Sequence, residues 1–202
     1  MKLAELEKFY RVQSRFYDFT RPLFLYGRKK AVNLLNPGDG DRIIDAGCGT
    51  GLNLPLLRRE KKPHIVGIDY SPSMLARAKK KFPEVEFIQG DITRHRFAQK
   101  ANKVICTYSL SMIEDWRGAV MNIKNSLEKD GVLVVLDFQP MRGFIRPFYP
   151  LMKWWLAKHG VDPEQEIIPF LKEHFERVEC AARPLGYNYI AVATIPKTGK
   201  AK

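Results

Sequence analysis

Apolar runs of strand length alternate along the chain with segments of helical spacing. "DRIIDAG", "HIVGIDY", "VEFIQGD", "KVICTYS" and "GVLVVLDF" are rich in Val and Ile and close on polar or turn residues, the pattern of strands buried on both faces. Between them, "PSMLARAKKKF" and "WRGAVMNIKNSLEKDG" carry apolar positions at helical spacing, and the second ends on a glycine, Gly131, suited to a helix C-cap. Strands and helices in alternation require crossover connections, which predicts an α/β fold with a mainly parallel sheet. "FERVECAARPLGYNYIAVATI" breaks the alternation: two strands flank Pro-Leu-Gly and predict a hairpin that adds an antiparallel strand. Two pieces stand outside this scheme. Residues 1–36 precede the first strand and read as helical, and residues 139–160 separate the fifth strand from the next helix.

A chain of 202 residues suits a single domain. The expected parts are an opening segment (1–36), a ligand-binding core (37–138), an insert (139–160), a last helix with the hairpin (161–195) and a basic tail (196–202). Cys48, Cys106 and Cys180 lie far apart, which argues against a disulfide framework or a zinc site and fits a reducing cytoplasm. The four histidines are scattered, so no metal site is expected. The first twenty residues are charged throughout, unlike a signal peptide, and no apolar run reaches the roughly 18 residues of a membrane span.

The net charge of +12 favours a polyanionic partner, either nucleic acid or an anionic membrane surface, and its placement narrows the choice. Residues 1–36 hold eight basic residues and three acids, interleaved with Phe9, Tyr10, Phe16, Tyr17, Phe19, Phe24 and Tyr26. The insert holds Arg142, Arg146, Lys153 and Lys158 and no acid, among Phe144, Phe148, Tyr149, Trp154 and Trp155. Basic residues mixed with Trp, Phe and aliphatic side chains compose segments that lie in a bilayer interface. The expectation is reversible attachment at the inner face of an anionic membrane. The competing expectations are a lid packed on the sheet and an RNA-stacking surface. Because Leu, Ile and Met mix with the rings, nucleic acid is the less favoured partner.

The chemistry concentrates at "IIDAGCGTGLNLPLL", residues 43–57. Gly47, Gly49 and Gly51 follow a strand and precede a helix, so backbone amides meet a ligand without Cβ obstruction. The spacing is G-x-G-x-G, unlike the G-x-G-x-x-G of dinucleotide folds, and Asp45 at the strand end would repel a pyrophosphate but attract an ammonium group. Asp69 closes the next strand, where a carboxylate can accept from both ribose hydroxyls, and Asp91 closes the third, within reach of an adenine amino group.

Together, "DAGCGTG", "GIDYSPSML" and "GDI" resemble the class I S-adenosylmethionine-dependent methyltransferases, over about residues 41–138 and onward through the hairpin. The resemblance implies a Rossmann-like seven-stranded, mostly parallel sheet with a C-terminal antiparallel hairpin strand and helices on both faces. It implies S-adenosylmethionine as cofactor and S-adenosylhomocysteine as product. Asp45 and Gly47 would lie near the methionine moiety, and Cys48, Gly49, Thr50 and Gly51 would complete the cofactor-binding turn, with Cys48 a small spacer rather than a nucleophile. Asp69 and Tyr70 would lie near ribose and adenine, Asp91 and Ile92 near adenine, and Met74 against the base. Tyr108 and Ser109 in "TYSLSMIEDW" would face the methyl group, and this stretch lacks the Asn/Asp-Pro-Pro-aromatic signature of amino-methyltransferases of DNA and some proteins.

"FYDFTRPLFLYGRKKAV", "YSLSMIEDW" and "RPLGYNYIAVA" further resemble bacterial betaine-lipid and phospholipid N-methyltransferases, so the acceptor implied is an amino lipid. Tyr17, Tyr26 and Tyr108 are candidates for positioning the amine, and Arg28 and Arg146 for contacting a headgroup carboxylate or phosphate. The opening motif also occurs in quinone-biosynthesis C-methyltransferases, which is the alternative. A non-catalytic cofactor-binding subunit and an RNA methyltransferase are more distant ones.

Overall fold

The computed structural model describes residues 26–141, 143–182 and 186–195. A seven-stranded sheet runs in the order β3-β2-β1-β4-β5-β7-β6. Its strands are β1 (Arg42–Ala46), β2 (His64–Asp69), β3 (Glu86–Gln89), β4 (Ala101–Thr107), β5 (Leu127–Phe138), β6 (Arg177–Ala182) and β7 (Asn188–Thr194). The first five pair in parallel, and β7 lies antiparallel between β5 and β6. The expected hairpin therefore forms, with its second strand inside the sheet and its first at the edge.

Period-two alternation along these strands feeds two apolar layers. Ile44, Val104, Leu133, Val135 and Ala191 point to one side, where α4 (Trp116–Ser126) and α6 (Ile167–His174) cover them with Val120, Ile123 and Leu171. Ile43, Ile105, Val134, Leu136 and Ile190 point to the other side, under Val32 and Leu35 of α1 (Arg28–Leu35), Leu54 and Leu57 of α2 (Leu54–Leu57), and Leu156 of α5 (Tyr149–Lys158). Covered on both faces, the central strands read as continuous Val/Ile/Leu runs, which is why they were legible.

Helix α3 (Pro72–Lys81) begins at Ser71, whose hydroxyl accepts from the Met74 amide at 3.3 Å, with Pro72 in the first turn and Lys79, Lys80 and Lys81 in the last. Helix α4 is capped by Asp115, which accepts from the Gly118 amide at 2.9 Å. Its end corrects an expectation. Gly131 is not the C-cap: the helix stops at Ser126 and Leu127 is already extended. Residues 128–130 form an exposed excursion in which Asp130 takes φ 64°, and the ladder with β4 resumes at Val132. Gly131 is needed for another reason, because a Cβ there would meet the Glu128 carbonyl oxygen at 2.8 Å.

Of the two outlying pieces, the opening one contributes α1, and residues 1–25 lie outside the described residues. The insert forms a 3₁₀ segment (Gly143–Phe148) followed by α5. Strand order reverses between β1 and β4, since the chain runs outward from β1 through β2 to β3 and then crosses back to β4. The crevice at the carboxyl ends of those two strands is where open α/β sheets bind ligands.

Candidate active site

A cavity of about 540 Å³ occupies that crevice, a volume suited to a small organic ligand. Its floor is the glycine turn. The amides of Gly47 and Cys48 both donate to the Ile68 carbonyl, at 2.8 and 3.0 Å, tying the turn to β2. Gly47, Gly49 and Gly51 take φ of 72°, 54° and 81°, a region that L side chains rarely adopt. A Cβ on Gly47 would lie 2.5 Å from the side chain of Ser109. Ser109 itself donates to the Ala46 carbonyl at 3.1 Å and sits 2.9 Å from the Cys106 sulfur, which packs the end of β4 onto the turn.

Gly47, Cys48, Gly49, Thr50, Asp69, Tyr70, Met74, Asp91, Ile92, Tyr108 and Ser109 all line the cavity. Asp69 accepts from the Gly49 amide at 2.7 Å through one oxygen and from the Ser71 amide at 2.9 Å through the other. It thereby joins the glycine turn to the start of α3. Asp91 accepts from the amide and hydroxyl of Thr93 at 3.0 and 2.8 Å and pairs with Arg94 at 3.2 Å, so it also shapes the turn after β3. The Cys48 thiol packs beneath the turn, and burial, with the Asp69 and Asp45 charges, pushes its pKa well up. A thiol held protonated is a poor nucleophile.

Asp45 requires a correction. Its parity along β1 is that of Ile43, so it points beneath α2, is wholly buried and does not line the cavity. Asn53 stands between Asp45 and the cavity, donating to one Asp45 oxygen at 2.9 Å and to Thr107 Oγ1 at 3.1 Å. The other Asp45 oxygen has no hydrogen-bond partner among the described residues. Burial pushes this carboxyl up to about 7 and the Asp69 charge adds to that, while Asn53 and the Arg28 guanidinium oppose it. Gly51 is also behind the wall, where a Cβ would meet Leu54 and Phe82 at 3.0 Å.

The opposite wall is built from distant parts of the chain. Arg28, the first residue of α1, lines the cavity, and its Nε and Nη1 are buried with no hydrogen-bond partner among the described residues. Its guanidinium lies 5.2 Å from the centroid of the Tyr108 ring. Tyr108 takes φ 55°, a strained conformation for an aromatic residue of the kind that gathers at functional sites. Its hydroxyl donates to the Tyr26 carbonyl at 2.6 Å and accepts from Asn188 Nδ2 at 2.9 Å, and burial raises its pKa. That hydroxyl is committed within the protein, so it serves neither as a proton acceptor nor as a free donor to an amine.

Two further candidates are not brought to the cavity. Tyr26 contributes its carbonyl to Tyr108 and packs its ring edge-to-face on Tyr187 at 5.4 Å, away from the lining. Arg146 is exposed on the 3₁₀ segment, which buries none of its residues. Tyr17 lies outside the described residues.

Residues not anticipated complete the site. Buried Asp137 accepts from the amide and hydroxyl of Ser111, at 3.0 and 2.5 Å, and from the Phe138 amide at 2.8 Å. Those bonds anchor the 3₁₀ turn Leu110–Met112, whose Met112 lines the cavity together with Ile113, Glu114 and Asp115. The strand "GVLVVLDF" carries the one usable signal, an acid inside an apolar run that has to find buried donors.

These features fit S-adenosylmethionine. Bare glycine amides, a strand-end carboxylate and a buried acid behind Asn53 line up along one crevice, and the cradle at Gly47 admits no side chain. The fold and the turn together define a Rossmann-like methyltransferase domain. A family model described as "Methyltransferase domain" matches residues 37–179, and the chain belongs to that S-adenosylmethionine-dependent family. Among curated relatives, carboxy-S-adenosyl-L-methionine synthase of Wolinella succinogenes is 38% identical over 107 residues, covering 48% of this chain and 44% of that protein. Demethylmenaquinone methyltransferase of Thermotoga maritima is 29% identical over 157 residues, covering 71% of this chain and 67% of that protein. The chain thus spans from under half to about two thirds of these relatives' length. In fold it is similar to a phosphoethanolamine N-methyltransferase of Haemonchus contortus, solved with phosphomonomethylethanolamine and S-adenosylhomocysteine. That match has a TM-score of 0.79 and 13% identity, over 98% of this chain and 61% of that one.

Proposed function

We propose that the chain transfers the sulfonium methyl of S-adenosylmethionine to the amine of a lipid headgroup, of the betaine-lipid or phosphatidylethanolamine type. The observation that carries this reading is Arg28, a guanidinium on the cavity wall with two buried donors unmatched among the described residues. Guanidinium donors buried without a hydrogen-bond partner call for an acceptor, and a charged one matches them best. A homoserine headgroup offers a carboxylate, and an ethanolamine headgroup a phosphate, within a few atoms of the reacting nitrogen. A bidentate partner on Arg28 would fix the headgroup while leaving its amine free to turn toward the cofactor. The resemblance of "YSLSMIEDW" and "RPLGYNYIAVA" to lipid N-methyltransferases supports the same acceptor.

The bound cofactor supplies an electrophilic methyl on a sulfonium that already carries positive charge. What remains for the protein is to align the nitrogen, exclude water and let the ammonium shed its proton. Asn53 and the glycine turn would hold the cofactor's amino-acid end, and Asp69 the ribose. Met112 and Ile113 make the acceptor end apolar, while Glu114 and Asp115 at the exposed rim attract a cationic headgroup and face water that can take the proton.

A second reading is methylation of a quinol ring carbon, favoured by the likeness to the Thermotoga maritima demethylmenaquinone methyltransferase over 71% of this chain. Incubation with methyl-labelled S-adenosylmethionine and total membrane lipid, followed by fractionation, separates the two. Label in the amino-lipid fraction is expected. Label in the quinone fraction selects the second reading, and label in neither removes both.

A further inference from the structure

We infer that the outer face of the 3₁₀ segment and α5 is a docking surface for an anionic lipid bilayer. The large hydrophobic side chains exposed among the described residues are Leu34, Tyr70, Phe144, Phe148, Leu151 and Trp154, and the four most exposed fall in this one segment. Phe144 is 83%, Phe148 65%, Leu151 66% and Trp154 56% exposed. Leu151 and Trp154, three residues apart, are neighbours on the surface of α5, and Phe144 and Phe148 stand exposed on the 3₁₀ segment that leads into it. A surface helix ordinarily has one apolar stripe, turned to the core. Here Met152, Trp155 and Leu156 fill that role in the layer that holds Val134 and Leu136, while Leu151 and Trp154 beside that stripe stay exposed. A helix apolar beyond its buried stripe is suited to lie between a protein core and a second apolar phase.

The charges identify that phase. Residues 139–160 contain no acid. Lys153 is engaged sideways by Glu164, but Arg146 is exposed between Phe144 and Phe148, and Lys158 lies with its ammonium 3.7 Å from the Trp154 ring centroid. Cations set among aromatic rings match anionic headgroups above acyl chains. A second copy of the chain is disfavoured, because an isologous contact would press Arg146 and Lys158 toward their own equivalents with no acid on the face to pair them. Among the described residues no helix is long and apolar enough to cross a membrane, so the face would rest on the bilayer.

The face is also wired to the cavity. Just beyond α5 the Asp162 amide donates to the Ser111 carbonyl at 2.8 Å, and Gln165 Nε2 reaches the Ser111 and Ile113 carbonyls at 3.5 and 3.4 Å. These bonds tie the end of the segment to the turn that carries Met112 and Ile113 into the cavity. This inference does not depend on the amine reading, since any acceptor dissolved in the bilayer would be met in the same way.

The test is co-sedimentation with vesicles of phosphatidylcholine alone or of equimolar phosphatidylglycerol and phosphatidylcholine. Wild type is expected to partition at least about tenfold more strongly to the anionic vesicles. The Phe148→Ala/Leu151→Ala/Trp154→Ala variant should lose about tenfold of that partition even at low salt. Arg146→Glu/Lys158→Glu should lose the salt-sensitive part. S-adenosylhomocysteine titration shows that the variants are folded. Equal partition of wild type and triple variant, or of both vesicle types, overturns the proposal. So does a wild-type dimer in sedimentation velocity, or an RNA complex, that the triple variant abolishes. Label appearing in lipid without vesicle binding would leave the methyl transfer standing and the docking face refuted.

Discussion

The two walls of the cavity are built differently. On the cofactor side, residues 47–92 supply nearly everything, and their polar groups are mutually engaged: Gly49 and Ser71 on Asp69, Thr93 and Arg94 on Asp91. On the side proposed to meet the acceptor, Arg28, Tyr108, Ser111, Asp137 and Asn188 come together from across the chain, and Nε and Nη1 of Arg28 have no hydrogen-bond partner among the described residues. The first wall is fixed before any ligand arrives. The second is held by buried bonds yet presents guanidinium donors with no hydrogen-bond partner among the described residues, as a site with an anionic partner to come would.

The comparison is broken most severely at the glycine turn. Gly47→Ala puts a Cβ 2.5 Å from Ser109 in a residue of φ 72°, so both the clash and the backbone strain act on the cofactor side. Affinity for S-adenosylhomocysteine should fall about a hundredfold by calorimetry, with partial recovery in Gly47→Ala/Ser109→Gly, where the opposing side chain is gone. Recovery failing altogether would leave strain alone as the cause.

Asp69→Ala should come next, weakening the same ligand by over about tenfold, since the two amide bonds that set the turn are lost together with the carboxylate proposed to accept from the ribose. Asp69→Asn keeps acceptor oxygen for one amide and should lose less. A folded Asp69→Ala protein with unchanged affinity removes this residue from the site.

A third test concerns Asp45 and is read in stability rather than in binding. Burial raises its carboxyl to about 7, so the folded chain holds a proton that the unfolded chain releases above its ordinary value of 3.8. Stability contributed by this group is therefore present at low pH and declines as pH rises from about 4 to about 7, by at most about 1.4 kcal/mol per unit. Denaturant unfolding near pH 5 and near pH 7 should show a steeper decline for wild type than for Asp45→Asn. Identical slopes would mean that the carboxyl is ionised throughout.

The same contrast explains what could be read from the chain. The cofactor wall is local, a strand, a glycine turn and successive strand-end acids, so its residues stand together in sequence. Asp45 looked like Asp69 and Asp91, but strand parity turns it under α2, and Asn53 meets the cavity in its place. Asn188 and Asp137 become part of the site only because β7 inserts beside β5, a pairing that no local pattern encodes. Arg28 and Arg146 were indistinguishable as solvated or ligand-binding cations. One begins a helix packed on the sheet and the other rides an exposed turn. The end of α4 was misread because glycine serves close approach as well as capping, and Gly131 does the former.

The acceptor wall is tested most directly through Arg28, with an amino lipid in vesicles as acceptor and S-adenosylhomocysteine affinity measured in parallel. Arg28→Ala should raise the KM for the amino lipid by about tenfold, the loss of one charge-assisted pair, and leave the S-adenosylhomocysteine Kd within about twofold. A fall in S-adenosylhomocysteine affinity with an unchanged lipid KM would assign Arg28 to the cofactor and contradict the reading of the acceptor as an amine carrying its own anion.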